Sequence, residues 1–323
     1  MNKQLVVVTR RIPEAGLKLL EHKFQLKVNP HERLLSVSEL KKFVKGAAGI
    51  ISLVSDKIDA GLLAAAGKQL KIVANYAVGF DNIDLAAAQK AKVIITNTPG
   101  VLTEAVAEHA FSLLMSVARK IVESDKYLRA GKYTGWKPDL LVGQQLQGKV
   151  LGILGLGRIG SQVARIGSLG YQMKVIYYDN GSRNKEIDKA LNASAVSVRR
   201  LLTASDFISV HVPLSKQTRH LIGRRELSSM KKTAILVNTS RGPVVDEAAL
   251  AAALKKKTIW GAGLDVFEFE PKVTPALLKL DNVIMTPHTA SGTVEARNGM
   301  AELAAQNITN VLEGRAPITA VKL

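Results

Sequence analysis

Lys149-Val150-Leu151-Gly152-Ile153-Leu154-Gly155-Leu156-Gly157-Arg158-Ile159-Gly160 is the stretch from which the rest of the chain can be read. Mostly apolar residues run into Gly-x-Gly-x-x-Gly, and beyond it Val163, Ile166 and Leu169 recur at helical spacing. The pattern predicts a strand, a tight turn and a helix over Ser161 to Leu169. Such a turn leaves unpaired N–H groups at a helix start, where the dipole favours negative charge, so a pyrophosphate is its natural occupant. Gly155 is expected to make the turn, Gly157 to let phosphates approach the backbone, and Gly160 to let helix pack on strand. Glycines alone are also what an ordinary loop contains. The context supplies the rest, because a second apolar strand, Lys174 to Tyr178, ends in Asp179, close to the spacing at which an acid meets the adenosine ribose.

At 323 residues the chain exceeds one usual core, so two domains are expected. Its apolar runs are broken by charge or glycine before membrane-spanning length, and Met1-Asn2-Lys3-Gln4 leads straight into Leu5-Val6-Val7-Val8. No signal peptide and no membrane partner are expected. The absence of cysteine excludes a disulfide framework, thiol catalysis and thiolate metal sites, no metal is assigned, and a cytoplasmic location is the expectation. The charge is high, 45 Lys+Arg against 27 Asp+Glu for a net +18. The basic clusters are nevertheless short and scattered: Lys41-Lys42, Arg199-Arg200, Arg224-Arg225, Lys231-Lys232 and Lys255-Lys256-Lys257. The last closes an Ala-rich helix expected over 246–256, where cations suit the dipole. No nucleic-acid motif accompanies them, so nucleic acid is not an expected partner.

Before the glycine-rich stretch, strands are expected at 4–9, 24–28, 49–53, 71–74 and 93–95, with helices at 14–21, 59–66 and 84–90 between them. Ser36-Val37-Ser38-Glu39 reads as a capping box opening a further helix. Strand and helix alternate throughout, which is the pattern of a parallel α/β sheet with ligands beyond the carboxyl ends of its strands. Asn97-Thr98-Pro99-Gly100 breaks the rhythm, and a long apolar-periodic helix is expected from Thr103 to Leu128. After the dinucleotide unit, strands follow near 174–178, 207–211, 234–238, 260–264 and 283–285. A second break at Thr286-Pro287 precedes a final helix over 291–313. The division expected is therefore discontinuous, with 1–98 and 287–323 forming one domain and 99–286 inserted into it.

Three residues beyond the glycine turn carry chemistry of interest. Arg241 follows the strand Ile235-Leu236-Val237-Asn238, Glu270 lies in Asp265-Val266-Phe267-Glu268-Phe269-Glu270-Pro271, and His288 lies in Thr286-Pro287-His288-Thr289. Taken singly, these are as readily an ion-pair partner, a solvated loop acid and a structural histidine. Together with Ala74-Asn75-Tyr76-Ala77-Val78-Gly79-Phe80-Asp81-Asn82-Ile83-Asp84, Val237-Asn238-Thr239-Ser240-Arg241-Gly242 and Gly263-Leu264-Asp265-Val266-Phe267, they give the chain a family likeness over nearly its whole length. It resembles the D-isomer-specific 2-hydroxyacid dehydrogenases and, within them, the glyoxylate/hydroxypyruvate reductases.

The resemblance implies a Rossmann dinucleotide-binding domain inserted into a flavodoxin-like substrate domain, and hydride transfer between NAD(P)H and a small anionic 2-oxo acid. It assigns proton donation to His288, its orientation to Glu270, and the grip on substrate carboxylate and carbonyl to Arg241, with the backbone of Val78 and Gly79 adding donors. For the cofactor it implies Arg158 and Ile159 at the pyrophosphate, Asp179 at the ribose, His211-Val212-Pro213 and Thr218 at the adenine side, and Asp265 at the nicotinamide carboxamide. Thr103, Thr239, Arg241 and His288 complete the cofactor-facing set. NAD(H) is expected over NADP(H), since a 2′-phosphate beside Asp179 would meet like charge, although Arg183 nearby favours the phosphate. The helix 103–128 and Trp136 resemble the family's dimerisation region and imply a homodimer. Formate dehydrogenases carry glutamine where Glu270 stands, and phosphite dehydrogenases lysine where Val78 stands. Phosphoglycerate dehydrogenases remain an alternative within the enzyme class, and the dehydrogenase-like corepressors an alternative outside it.

Overall fold

The computed structural model describes residues 3–181 and 185–322. The chain divides into two compact units, Met1–Leu102 with Gly292–Leu323, and Thr103–Ser291. It thus crosses at Leu102/Thr103 and Ser291/Gly292, against the 98/99 and 286/287 read from sequence. Thr103 opens a helix of the second unit, and residues 286–290 are tied by hydrogen bonds to Asp265 of that unit, which moves each crossing later.

The first unit is a five-stranded parallel sheet in the order β2 (Gln25–Val28), β1 (Leu5–Val8), β3 (Gly49–Ser52), β4 (Ile72–Asn75), β5 (Ile94–Thr96). This is the flavodoxin-like order. Strands β3 and β4 are buried along their whole length, which is why they read as continuous apolar runs without alternation. Each fully buried Val or Ile among them contributes roughly 1.5–3 kcal/mol relative to exposure. Helices α1 (Glu14–Glu21), α2 (Val37–Phe43), α3 (Ala60–Ala66) and α4 (Leu85–Lys90) connect the strands. The capping box at α2 closes, with Glu39 N donating to Ser36 Oγ and Ser36 N to Glu39 Oε2. After the second unit, the last helix (Val294–Leu312) returns to pack on α1, β3 and β4. Its approach is close enough that a Cβ on Gly16 would stand 2.5 Å from the Ala301 carbonyl oxygen.

The second unit begins with α5 (Thr103–Ala118) and α6 (Ile121–Arg129). Its sheet has seven parallel strands. In spatial order these are Val283–Met285, Gly261–Leu264, Ile235–Asn238, Phe207–Val210, Val150–Leu154, Lys174–Tyr178 and Ser194–Ala195, which in chain order are β12, β11, β10, β9, β6, β7 and β8. From β6 the chain steps outward to β7 and β8, then returns to β9 on the other side. The strand order therefore reverses between β6 and β9, and their carboxyl ends open the crevice where such sheets take ligands. Leu151, Ile153, Phe207, Ile235 and Val237 form one core face with Ala110, Leu113 and Leu114 of α5. The remaining helices are α7 (Arg158–Arg165), α8 (Lys185–Leu191), α9 (Val198–Ala204), α10 (Arg224–Ser229) and α11 (Glu247–Lys255), which makes the C-terminal helix of the first unit α12.

Two helices differ from the sequence reading. The helix expected over 103–128 is two helices, because Gln144 N takes the Ala118 carbonyl at 2.8 Å and Lys120 turns left-handed at φ 52°. Apolar residues continue at helical spacing across that break, but α6 buries none of them. The helix expected over 161–169 ends at Arg165 and continues as one π turn, Ile166–Gly170. Among the described residues no helix is long and apolar enough to cross a membrane.

Candidate active site

The glycine turn after β6 is shaped by steric contact at two of its glycines and by open space at the third. Gly155 has φ +93°, and a Cβ there would lie 2.8 Å from the His211 carbonyl carbon and 2.9 Å from Val212 N. The segment His211–Pro213 that leaves β9 therefore packs directly on the turn. A Cβ on Gly160 would stand 2.0 Å from the Gly155 oxygen, whereas one on Gly157 would meet nothing within 4 Å. No side chain caps α7 at Gly157, so the first-turn N–H groups, those of Arg158 and Ile159 among them, remain for a ligand. These residues fit a dinucleotide pyrophosphate. Thr239 adds a buried hydroxyl with no hydrogen-bond partner among the described residues, at the carboxyl end of β10.

Asp179 caps the next strand and organises the same turn. Its Oδ2 accepts from Leu156 N at 2.7 Å and its Oδ1 from Gly181 N at 2.8 Å. A carboxylate offers about four acceptor positions, so lone pairs remain for ribose hydroxyls. Arg183 lies outside the described residues. Burial pushes His211 down to about 3, which keeps its imidazole neutral, with Ser209 Oγ 2.7 Å from Nε2. Thr218 is committed to its own loop, donating to the Pro213 carbonyl at 2.6 Å and accepting from Ser215 N at 2.8 Å. Thr103 is the half-buried first residue of α5.

The three residues expected to do chemistry sit on neighbouring turns. Asn238, at the end of β10, ties its turn by accepting from Ser240 N and donating to the Arg241 carbonyl at 2.9 Å. Arg241 Nη1 donates to the Ser240 carbonyl at 2.8 Å. Gly242 follows, and a Cβ there would fall 1.9 Å from the Phe267 carbonyl carbon. Only glycine lets the Arg241 turn seat on the turn that carries Glu270. Glu270 in turn accepts from Phe267 N on Oε1 at 2.9 Å, and its Oε2 lies 2.9 Å from His288 Nδ1. Burial opposes ionisation of Glu270, but His288, Phe267 N and Arg241 outweigh it and hold the carboxyl below the usual range. An ionised carboxylate only accepts, so Nδ1 carries the hydrogen of this contact and Nε2 is left to act on a substrate.

The backbone of His288 is left-handed, φ 54°, and Asp265 is what holds it. His288 N donates to the Asp265 carbonyl at 2.9 Å, while the Asp265 carboxylate accepts from Thr286 Oγ1 at 2.6 Å, Thr289 N at 2.7 Å and Ala290 N at 2.8 Å. That carboxylate is wholly buried. Burial disfavours its charge, but the donors His109, Thr286, Thr289 and Ala290 prevail and hold it below the usual range. In the structure it ties residues 286–290 together.

In the first unit, the loop after β4 is held by its carbonyls. Asn75 Nδ2 donates to Gly79 O at 2.9 Å, Asn97 Nδ2 to Val78 O at 2.7 Å, and Thr98 N to Ala77 O at 2.9 Å. The N–H groups of Val78 and Gly79 meet no acceptor among the described residues. Asn75 and Asn238 were not singled out from the sequence, yet each is an asparagine closing an apolar strand, Ile-Val-Ala-Asn and Ile-Leu-Val-Asn. That signal was available. Nothing in the sequence around His109 distinguished it from a core helix position.

Residues 111–290 match the model of the D-isomer specific 2-hydroxyacid dehydrogenase NAD binding domain. The glyoxylate reductase of Korarchaeum cryptofilum is 48% identical over 318 residues, 98% of this chain and 95% of that protein. The glyoxylate reductase of Thermococcus litoralis is 48% identical over 319 residues, covering 98% and 96%. Among solved structures, an NADPH-dependent glyoxylate/hydroxypyruvate reductase from Sinorhizobium meliloti, in complex with NADP and malonate, superposes with a TM-score of 0.86 at 32% identity over 99% of this chain and 97% of that one. The chain belongs to the D-isomer-specific 2-hydroxyacid dehydrogenase family. It is an oxidoreductase that uses a nicotinamide dinucleotide to reduce 2-oxo acids.

Proposed function

We propose that this enzyme reduces glyoxylate and hydroxypyruvate in preference to larger 2-oxo acids, with His288 as proton donor. The observation that carries the assignment of roles is the 2.9 Å contact between His288 Nδ1 and a Glu270 carboxylate already fixed by Phe267 N. When bound, the reduced nicotinamide supplies the hydride that reaches the carbonyl carbon. His288 gives its Nε2 proton to the carbonyl oxygen, and Glu270 steadies the imidazolium that makes the donation possible. Arg241 binds the substrate carboxylate through its planar fork of donors. The N–H groups of Val78 and Gly79 are assigned to substrate binding.

For the cofactor, Gly155, Gly157, Arg158, Ile159 and Gly160 are assigned to the pyrophosphate, Asp179 to the ribose, and His211, Val212, Pro213 and Thr218 to the adenine side. Thr103, Thr239 and Asp265 are assigned to the nicotinamide end, Asp265 through the loop it fixes. We favour NADH over NADPH, because a 2′-phosphate at Asp179 would meet like charge at contact distance. We also assign a homodimer, supported by apolar side chains of α6 and the segment after it that stand in solvent, Trp136 at 80% exposure among them.

The test is a panel of glyoxylate, hydroxypyruvate, pyruvate and branched 2-oxo acids run with NADH and NADPH. Highest kcat/KM for the two small substrates, a larger value with NADH, and a ratio shifted toward NADPH in Asp179→Ser are the expected results. A preference for branched or aromatic acids contradicts the substrate assignment, and an NADPH value above that for NADH contradicts the role given to Asp179.

A further inference from the structure

His109 has no part in the chemistry assigned above. It lies in α5, with Nε2 2.9 Å from Thr286 Oγ1 and 3.5 Å from Asp265 Oδ1. A threonine hydroxyl carries a single hydrogen, and an ionised carboxylate can only accept. The 2.6 Å contact from Thr286 Oγ1 to Asp265 Oδ1 therefore uses the Thr286 hydrogen. It follows that the 2.9 Å contact between His109 and Thr286 needs its hydrogen from Nε2. Donation runs in one direction, from His109 to Thr286 to Asp265. Both the neutral Nε2–H tautomer and the imidazolium can supply it, so the chain of donors does not depend on the charge of His109.

What lies at the far end is the backbone of His288. Asp265 accepts from Thr289 N and Ala290 N, and its carbonyl accepts from His288 N. A left-handed conformation at a residue with a side chain persists only where its surroundings over-determine it. Loss of the Thr286 hydroxyl's orientation would leave the wholly buried Asp265 carboxylate short of one donor, and the 286–290 segment with a weaker hold.

We propose that His109 is a positioning residue for the reduction: by donating through Thr286 to Asp265, it fixes residues 286–290 so that His288 keeps its left-handed backbone and its Nδ1 on Glu270. The proposal rests on His288 being the proton donor. It names a group that contacts neither substrate nor cofactor in the roles assigned above.

The test compares His109→Leu, His109→Gln and Thr286→Val in the full-length enzyme with glyoxylate and NADH. In His109→Leu, kcat is expected to fall about tenfold while KM for NADH changes by less than about twofold, the split expected when the reacting geometry and not binding is disturbed. His109→Gln keeps an N–H donor and is expected to recover most of the loss. Added to His288→Ala, His109→Leu is expected to lower the residual rate no further, because two changes acting through one group are not additive. An unchanged kcat in His109→Leu, or a full extra loss in the His288→Ala background, overturns the proposal. Should His109→Leu fail to fold, Thr286→Val carries the same expectation, and a normal kcat there overturns it equally. Full activity of His288→Ala alone would instead remove the proton-donor assignment, and the role of His109 with it.

Discussion

Glu270 is fixed from two sides before any substrate arrives, by Phe267 N on one oxygen and by His288 Nδ1 on the other. The consequence is a testable pH behaviour. Its carboxyl is held below the ordinary range, so the stability of the pair is fully present above the unfolded glutamate value of about 4.3 and is lost as pH falls through the lower folded value. In Glu270→Gln this contribution is absent, and the Tm gap to the parent enzyme is expected to narrow on acidification. The same substitution removes the charge but keeps an acceptor for His288 Nδ1, so a smaller loss of turnover is expected than in His288→Ala. An equal loss contradicts a role confined to orienting the ring. At this scale the sequence was informative wherever a residue stood inside a motif: Arg241, Glu270, His288 and the glycines of the turn could all be named. Asp265 could be named too, but its work on residues 286–290 could not, because it depends on four donors scattered over α5 and a loop far away in the chain.

Strands were easier to read than helix ends. Parallel strands buried on both faces are short apolar runs, and β7 and β12 span the residues expected of them. The exception is β8, Ser194–Ala195, a two-residue edge strand with both residues exposed and hence no apolar run to reveal it. The break between α5 and α6 was hidden for a different reason. It is imposed by Gln144 N, more than twenty residues away, while Ile121 and Leu128 prolong the apolar spacing. Those two side chains are 54% and 61% exposed, and Tyr133, Trp136 and Val142 are exposed in the segment that follows. An element with that many apolar groups in solvent is what a second copy of the chain would cover. Sedimentation is expected to give a dimer, and Ile121→Lys with Leu128→Lys a monomer. Trp136→Ala is expected to extend the substrate range toward bulkier 2-oxo acids. A monomeric parent at micromolar concentration would contradict the assignment.

Each unit of the molecule is a parallel sheet whose polar groups gather at the carboxyl ends of its strands, and that shared rule made the two-unit plan legible. In the first unit Asn75 closes β4 and holds the Gly79 carbonyl. In the second, Asn238 closes β10 and holds Arg241. The plan follows from alternation of strand and helix, whereas the crossing points depend on hydrogen bonds such as those from Thr289 and Ala290 to Asp265, which lie beyond local pattern. All the chemistry assigned to the enzyme converges on one proton. The most direct measurement is the single-turnover rate of His288→Ala with glyoxylate and saturating NADH, alongside the NADH dissociation constant of the same variant. Loss of a general acid is expected to slow the step by about 10²-fold or more with cofactor binding nearly unchanged. A rate equal to that of the parent enzyme would contradict the assignment of His288.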